Sequence, residues 1–249
     1  TIIGMPHGFF DYSVAERLFK NNINWAYYFT AGYIALSLIY LSVWIYYPLA
    51  ALIFFLMISI IHFGIEELNH ITYKDMSFYQ ILMIGSMPIV LPILFHSPDV
   101  FYIFNQIIGL NVNYPDINIY IYYFYFALLF IALYLNGIKR SWVYLILTLN
   151  FIVLPPLLSF ILYFCFHHSI RHYIYSIYHD NLVPKKYETQ QYLKTIIMTS
   201  VFFTIIVIIS LQAYGQYSFD IMIVKYIFIL LACLTLPHLI LNIYYDMSK

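Results

Sequence analysis

The chain has 249 residues, of which 63% are hydrophobic and only 9% charged, and its mean hydropathy is +0.82. Soluble domains are about half apolar and about a quarter charged, so the composition excludes a soluble enzyme and predicts an all-α integral membrane protein with the lipid bilayer as its main solvent. Eleven basic residues balance eleven acidic ones, so no global field favours nucleic acid or an acidic substrate, and the expected partner is apolar.

The chain opens at Thr1 with no initiator methionine, as expected of a processed or trimmed product. A short polar-apolar stretch, GMPHGFFD, precedes the first long apolar run. Runs near span length then predict a single polytopic membrane domain over 1–249, a bundle of about eight transmembrane helices. The expected spans are 24–45, 49–67, 78–96, 117–136, 141–155, 157–178, 192–213 and 220–244. The fifth is short, and Pro155 and Pro156 mark the point where one helix must stop before the next begins. The connections 97–116 and 179–191 are too short to hold a core of their own. Cys165 and Cys233 both fall in apolar spans, which suits packing rather than a disulfide.

Threading eight spans sorts the basic residues. Arg17, Lys20, Lys74, Lys139, Arg140, Lys185, Lys186, Lys194 and Lys249 fall on one side, while the opposite loops hold none and Lys225 lies just inside the eighth span. By the positive-inside rule the first side is cytoplasmic, which gives a multi-pass protein of the cell (plasma) membrane.

The histidines give this membrane domain its chemistry. His70, His96 and His179 lie at span ends or in loops, where an ordinary surface role is expected. His62, His168, His172 and His238 fall inside spans two, six and eight, all of which end on the cytoplasmic side. At about 1.5 Å per residue, His62, His172 and His238 lie roughly 7 to 9 Å from those ends and His168 about 15 Å. In FCFHHSIRH, His168 and His172 are four positions apart, so in a regular helix they share a face one turn apart, whereas His167 points elsewhere. Such a pair can bind one metal ion, and two histidines hydrogen-bonded in a polar seam between helices would give the same spacing. Arg171 faces away from that pair and suits a structural ion pair with Asp11, Glu66 or Glu67, with snorkelling towards the cytoplasm as the alternative.

Two further motifs repeat a spacing of four between imidazole and carboxylate. His7 precedes Asp11 in GMPHGFFD, and His62 precedes Glu66 in HFGIEE. A carboxylate one turn away can fix the tautomer of a metal-bound histidine through its second nitrogen, so Asp11, Glu66 and the late His238 are candidates to support the ligands. Singly, His7 reads equally well as a terminal histidine and His62 as a hydrogen-bonded residue inside a bundle. Together they read as a site, because a charged group at membrane depth costs about 2.5 to 3.5 kcal/mol and usually marks function. Imidazole suits iron, copper and zinc, so ligand type leaves the metal open.

Taken together, GMPHGFFD, HFGIEE, FCFHHSIRH and LPHLI around His238 resemble the bacterial and archaeal membrane family of Brp/Blh-type β-carotene 15,15′-dioxygenases. The resemblance covers nearly the whole chain. It departs at Ile170, where the family often has proline, a difference expected to alter local helix shape and leave ligation intact. The resemblance implies a non-haem Fe(2+) held in an intramembrane four-histidine metal site by His7, His62, His168 and His172. It also implies cleavage of the central double bond of β-carotene by O2 to give two molecules of all-trans-retinal, with a retinal-binding rhodopsin as recipient. Four imidazoles on an octahedral ion leave two positions, which suits a reaction needing no outside electrons. Membrane di-iron desaturases use more histidines, in HxxxH and HxxHH boxes, and this chain has one HxxxH and no HxxHH. A membrane transporter, or a haem-binding electron carrier using intramembrane His and Glu, is the non-dioxygenase alternative.

Overall fold

A computed structural model describes residues 10–68, 77–136, 138–178 and 219–248. Among these every regular element is helical: α1 (Asp11–Phe19), α2 (Trp25–Tyr46), α3 (Pro48–Glu67), α4 (Phe78–Phe95), α5 (Ser97–Ile108), α6 (Ile119–Asn136), α7 (Ile138–Val153), α8 (Pro156–Ile161), a π-helical segment (Leu162–His168), α9 (Ser169–Tyr178) and α10 (Phe219–Ser248). Helices are what this composition requires, because lipid offers no partners to backbone N–H and C=O groups and a helix satisfies them within itself. Four stretches are long and apolar enough to cross a membrane: Trp25–Tyr46, Pro48–Glu67, Phe78–Phe95 and Met222–Ser248. The apolar parts of α6 and α7 are shorter. The expected span 192–213 lies outside the described residues, as do His7, His70 and His179.

The chain divides into two compact units, one made of Thr1–Ala51 and Cys165–Lys249, the other of Leu52–Phe164. In the first, α1 packs against α2 and α10, and α2 packs against α10. Val14 and Ala15 on α1 meet Leu241 and Tyr245 on α10, with Leu18, Trp25 and Phe29 completing the cluster. Arg17 donates to the Tyr245 hydroxyl at 3.1 Å, so the charged end of α1 is held where its apolar face is buried.

In the second unit α4 packs against α5, α6 and α7. Proline at 88 and 92 removes the helical N–H donors to the carbonyls of Ile84 and Pro88. Ser86 turns its hydroxyl back to the Met83 carbonyl at 2.8 Å and meets the Tyr125 hydroxyl at 2.9 Å. The short helix α5 carries Pro98 in its first turn and ends on Gly109, whose φ of 70° is the left-handed conformation that glycine adopts most readily. His96, at the α4/α5 junction, holds the Ile152 carbonyl with Nε2 at 2.9 Å, a structural role for a residue expected at the surface.

Two glycines bring α3 and α4 together. A Cβ on Gly64 would run into the Ile81 carbonyl oxygen, and one on Gly85 into the Ile60 carbonyl oxygen and the Gly64 backbone. Small residues at such a crossing let backbones approach closely, and in lipid that close packing replaces the hydrophobic drive available in water. Gly64 belongs to the HFGIEE motif, so the crossing also fixes the helix that carries His62. Replacing Gly85 by Val should destabilise the protein by about 2 to 3 kcal/mol through overpacking, read as a clear fall in melting temperature in detergent, whereas Gly32→Val, where a Cβ meets nothing within 4 Å, should leave it nearly unchanged.

Candidate functional site

The run that carries FCFHHSIRH starts at two prolines. Pro155 is extended (ψ 147°) and ends the preceding helix, while Pro156 occupies the first turn of α8, where its missing N–H costs nothing. The Ser159 N–H bonds back to the Pro155 carbonyl at 2.9 Å. Beyond Ile161 the helix widens into the π segment Leu162–His168 and then returns to α geometry at Ser169.

That widening decides which histidines are buried. Along the run the buried residues include Ser159, Tyr163, His168, His172 and Ser176, spaced by four, five, four and four. An unbroken α-helix keeps a stripe at spacings of three or four, and from Tyr163 it would pass through His167 and Arg171. The π turn closes an i→i+5 ring and absorbs the extra residue. His168 (2% exposed) and His172 (7%) therefore join the stripe, while His167 and Arg171 are half-buried. A regular helix was expected here, and the π segment is the difference. It lies N-terminal to the pair, so from His168 to His172 the chain still makes one helical turn and the two imidazoles share a face.

Asp11, the first residue of α1, is buried at 4% exposure. Its Oδ1 is 2.6 Å from His238 Nδ1 on α10, and its Oδ2 accepts the Tyr33 hydroxyl of α2 at 2.8 Å. His238 Nε2 is 2.9 Å from Asn242 Nδ2, one turn further along α10. Both ring nitrogens of His238 thus lie within hydrogen-bond distance of a side chain, one of the Asp11 carboxylate and the other of the Asn242 amide. The His238 ring stands edge-on to His172, with centroids 5.7 Å apart at 72°. Phe10 lies 6.5 Å from the His172 ring and 5.5 Å from that of Tyr173. His168, His172, His238 and Asp11 thus belong to one unit. Asp11 is held by His238 and Tyr33, each oxygen keeping capacity for a further bond; His7, its expected partner, lies outside the described residues.

The second unit carries His62, buried at 3% on α3 and 5.7 Å from the Phe63 ring. Glu66, the expected carboxylate partner, is half-buried, and the fully buried acid of the motif is Glu67. Tyr163 donates to Glu67 Oε1 at 3.3 Å, and Tyr144 donates to the Glu67 carbonyl at 3.1 Å. Phe63 and Phe151 meet the Tyr163 ring edge-on at 5.3 and 5.4 Å.

His168 and His172 supply two imidazoles at one-turn spacing in a buried setting, a donor pair that fits Fe, Cu or Zn. Among the described residues no group of three or more His, Cys, Asp and Glu side chains is close enough to hold an ion. The sequence alone does not single out Tyr33, Asn242 or Tyr163, and it offers Glu67 only as an ion-pair partner for Arg171. Asn242 follows His238 by four in LPHLILN, the same spacing that flagged Asp11 and Glu66, whereas Tyr33 is one of 28 tyrosines and carries no local signal.

A family model described as Beta-carotene 15,15′-dioxygenase matches residues 1–245. A beta-carotene 15,15′-dioxygenase from uncultured marine bacterium 66A03 is 30% identical over 184 residues, covering 70% of this chain and 65% of that protein's length. No solved structure matches. With nearly all of its length matched by the family model, the chain belongs to the beta-carotene 15,15′-dioxygenase family.

Proposed function

We propose that the protein is a membrane-embedded non-haem iron dioxygenase that cleaves the central 15,15′ double bond of β-carotene with O2 and releases two molecules of all-trans-retinal. The observation that carries this reading, beside family membership, is the His168–His172 pair: two imidazoles one helical turn apart on the buried stripe of an otherwise apolar helix. His7, His62, His168 and His172 are the four ligands in this reading. When bound by these histidines, Fe(2+) would supply the activation of O2.

The remaining chemistry falls to the chain. All four ligands are neutral, so the site keeps the cation's full charge, and uncharged imidazoles are the cheapest donors to bury at membrane depth. The substrate is a hydrocarbon and can enter sideways from lipid without a water path. The step balances without a reductant: the C=C and O–O bonds break, each oxygen atom forms one carbonyl, and the alkene is the electron donor. Aromatic faces near the pair, including Phe10 and Tyr173, can pack on a polyene and favour cationic character in it.

The protein is proposed to cross the plasma membrane eight times with its basic loops in the cytoplasm, as the charge sorting requires. Retinal is released in the bilayer, where a retinal-binding rhodopsin can take it up.

Expression in cells that accumulate β-carotene should convert the pigment to retinal, and the purified protein should carry about one iron per chain without haem absorption. Unchanged β-carotene, or full activity with zinc alone, would overturn the assignment. Within the ligand set, His168→Ala and His172→Ala should abolish iron binding and retinal formation, while His167→Ala keeps substantial iron and at least partial activity. Deleting Phe166 turns the five-residue step from Tyr163 to His168 into a four-residue step, so a folded deletion variant should still bind iron; loss of iron there would mean that the turn is wound differently.

A further inference from the structure

Four side chains from three helices form one hydrogen-bonded series: the Tyr33 hydroxyl to Asp11 Oδ2 at 2.8 Å, Asp11 Oδ1 to His238 Nδ1 at 2.6 Å, and His238 Nε2 to Asn242 Nδ2 at 2.9 Å. We infer that Tyr33 and Asn242, acting through Asp11 and His238, are positioning residues for the ring of His172, and that His238 is a support and not a further metal ligand. The inference rests on the proposed metal role of His172.

The chemistry of the series supports this division of labour. A metal-bound histidine needs a ring nitrogen free for the ion, and both ring nitrogens of His238 already lie within hydrogen-bond distance of a side chain, Nδ1 of Asp11 and Nε2 of Asn242. Both ends of the His238 ring are tied, so its rotation is fixed, and its edge-to-face contact at 5.7 Å and 72° gives His172 a wall of defined position. Asp11 is itself held on both oxygens, which anchors Phe10, the neighbouring residue that bounds His172 from the start of α1. The Tyr33 hydroxyl, whose one proton goes to the carboxylate at 2.8 Å, also sits 3.4 Å from the Leu234 carbonyl, so it reaches the turn of α10 just before Pro237. A series buried in lipid-facing helices acts as a unit, because removing one member leaves its neighbour with an unmet polar group.

Isosteric variants separate positioning from space-filling. Asn242→Asp keeps the side-chain volume but replaces the donor facing Nε2 with an acceptor, and Tyr33→Phe removes only the hydroxyl. Cobalt(II) titration of the metal-free protein, followed by its d–d absorption, reads affinity and coordination without turnover. Asn242→Asp should weaken cobalt binding by about 10 to 100-fold and Tyr33→Phe should weaken it in the same direction, as losses of outer-shell partners typically do, with one metal still bound at saturation. Asn242→Gln, which restores a donor, should recover part of the loss. His238→Gln should likewise keep one metal per chain at lower affinity. Unchanged affinity in both isosteric variants, or complete loss of stoichiometric binding in His238→Gln while the variant elutes as a folded protein, would overturn the inference. Wild-type protein that binds neither cobalt nor iron would instead overturn the proposed metal site on which it rests.

Discussion

A polar group surrounded by lipid must find its partner inside the protein, and the described structure is organised around that requirement. Backbone groups meet it by forming helices, and side chains meet it by pairing. The two most buried acids among the described residues show how: Asp11 is taken up by Tyr33 and His238, and Glu67 by Tyr163. Tyrosine serves this purpose often because it couples an apolar ring with one hydroxyl donor. Tyr40 reaches the Ala51 carbonyl at 2.8 Å, Tyr144 the Glu67 carbonyl and Tyr79 the Leu128 carbonyl. An abundance of tyrosine that sequence reading would assign to composition or interfacial belts is therefore in part a supply of internal donors.

The same requirement makes helix phase consequential. A histidine that rotates from a buried stripe to a lipid-facing one loses its partners and its function together. The π segment after Pro156 sets that phase for His168 and His172, and the glycine crossing of α3 on α4 sets the position of the helix that carries His62. Both devices cost local stability, one by opening the helical hydrogen-bond pattern and the other by giving up side-chain packing at Gly64 and Gly85. They recur beside the motif histidines, where placement outweighs that cost.

Much of this was legible in the sequence because its signals are local. Four membrane-length helices follow from apolar length, the break before α8 from the proline pair, and the shared buried face of His168 and His172 from a spacing of four. Asp11 and Glu66 were reached by the same rule, yet it selected the less buried acid of HFGIEE, because periodicity cannot tell which of two adjacent carboxylates faces inward. A π turn is an alternative to the regular helix at this run, one that would bring His167 into the seam; the π segment instead lies N-terminal to the pair and leaves His168 and His172 on the buried stripe, which emerges only when buried positions before and after it are compared. Tyr33 was beyond reach, since its partner lies 22 residues away on another helix and only tertiary packing joins them.

The central claim is that His168 and His172 belong to an all-imidazole iron site. X-ray absorption at the iron K-edge of the purified, iron-loaded protein tests it most directly. The account predicts a nitrogen-dominated first shell with the multiple-scattering signature of about four imidazoles, reduced in His172→Ala. A shell with sulfur, or one with carboxylate oxygen replacing imidazole in the two-histidine-one-carboxylate manner, would contradict it.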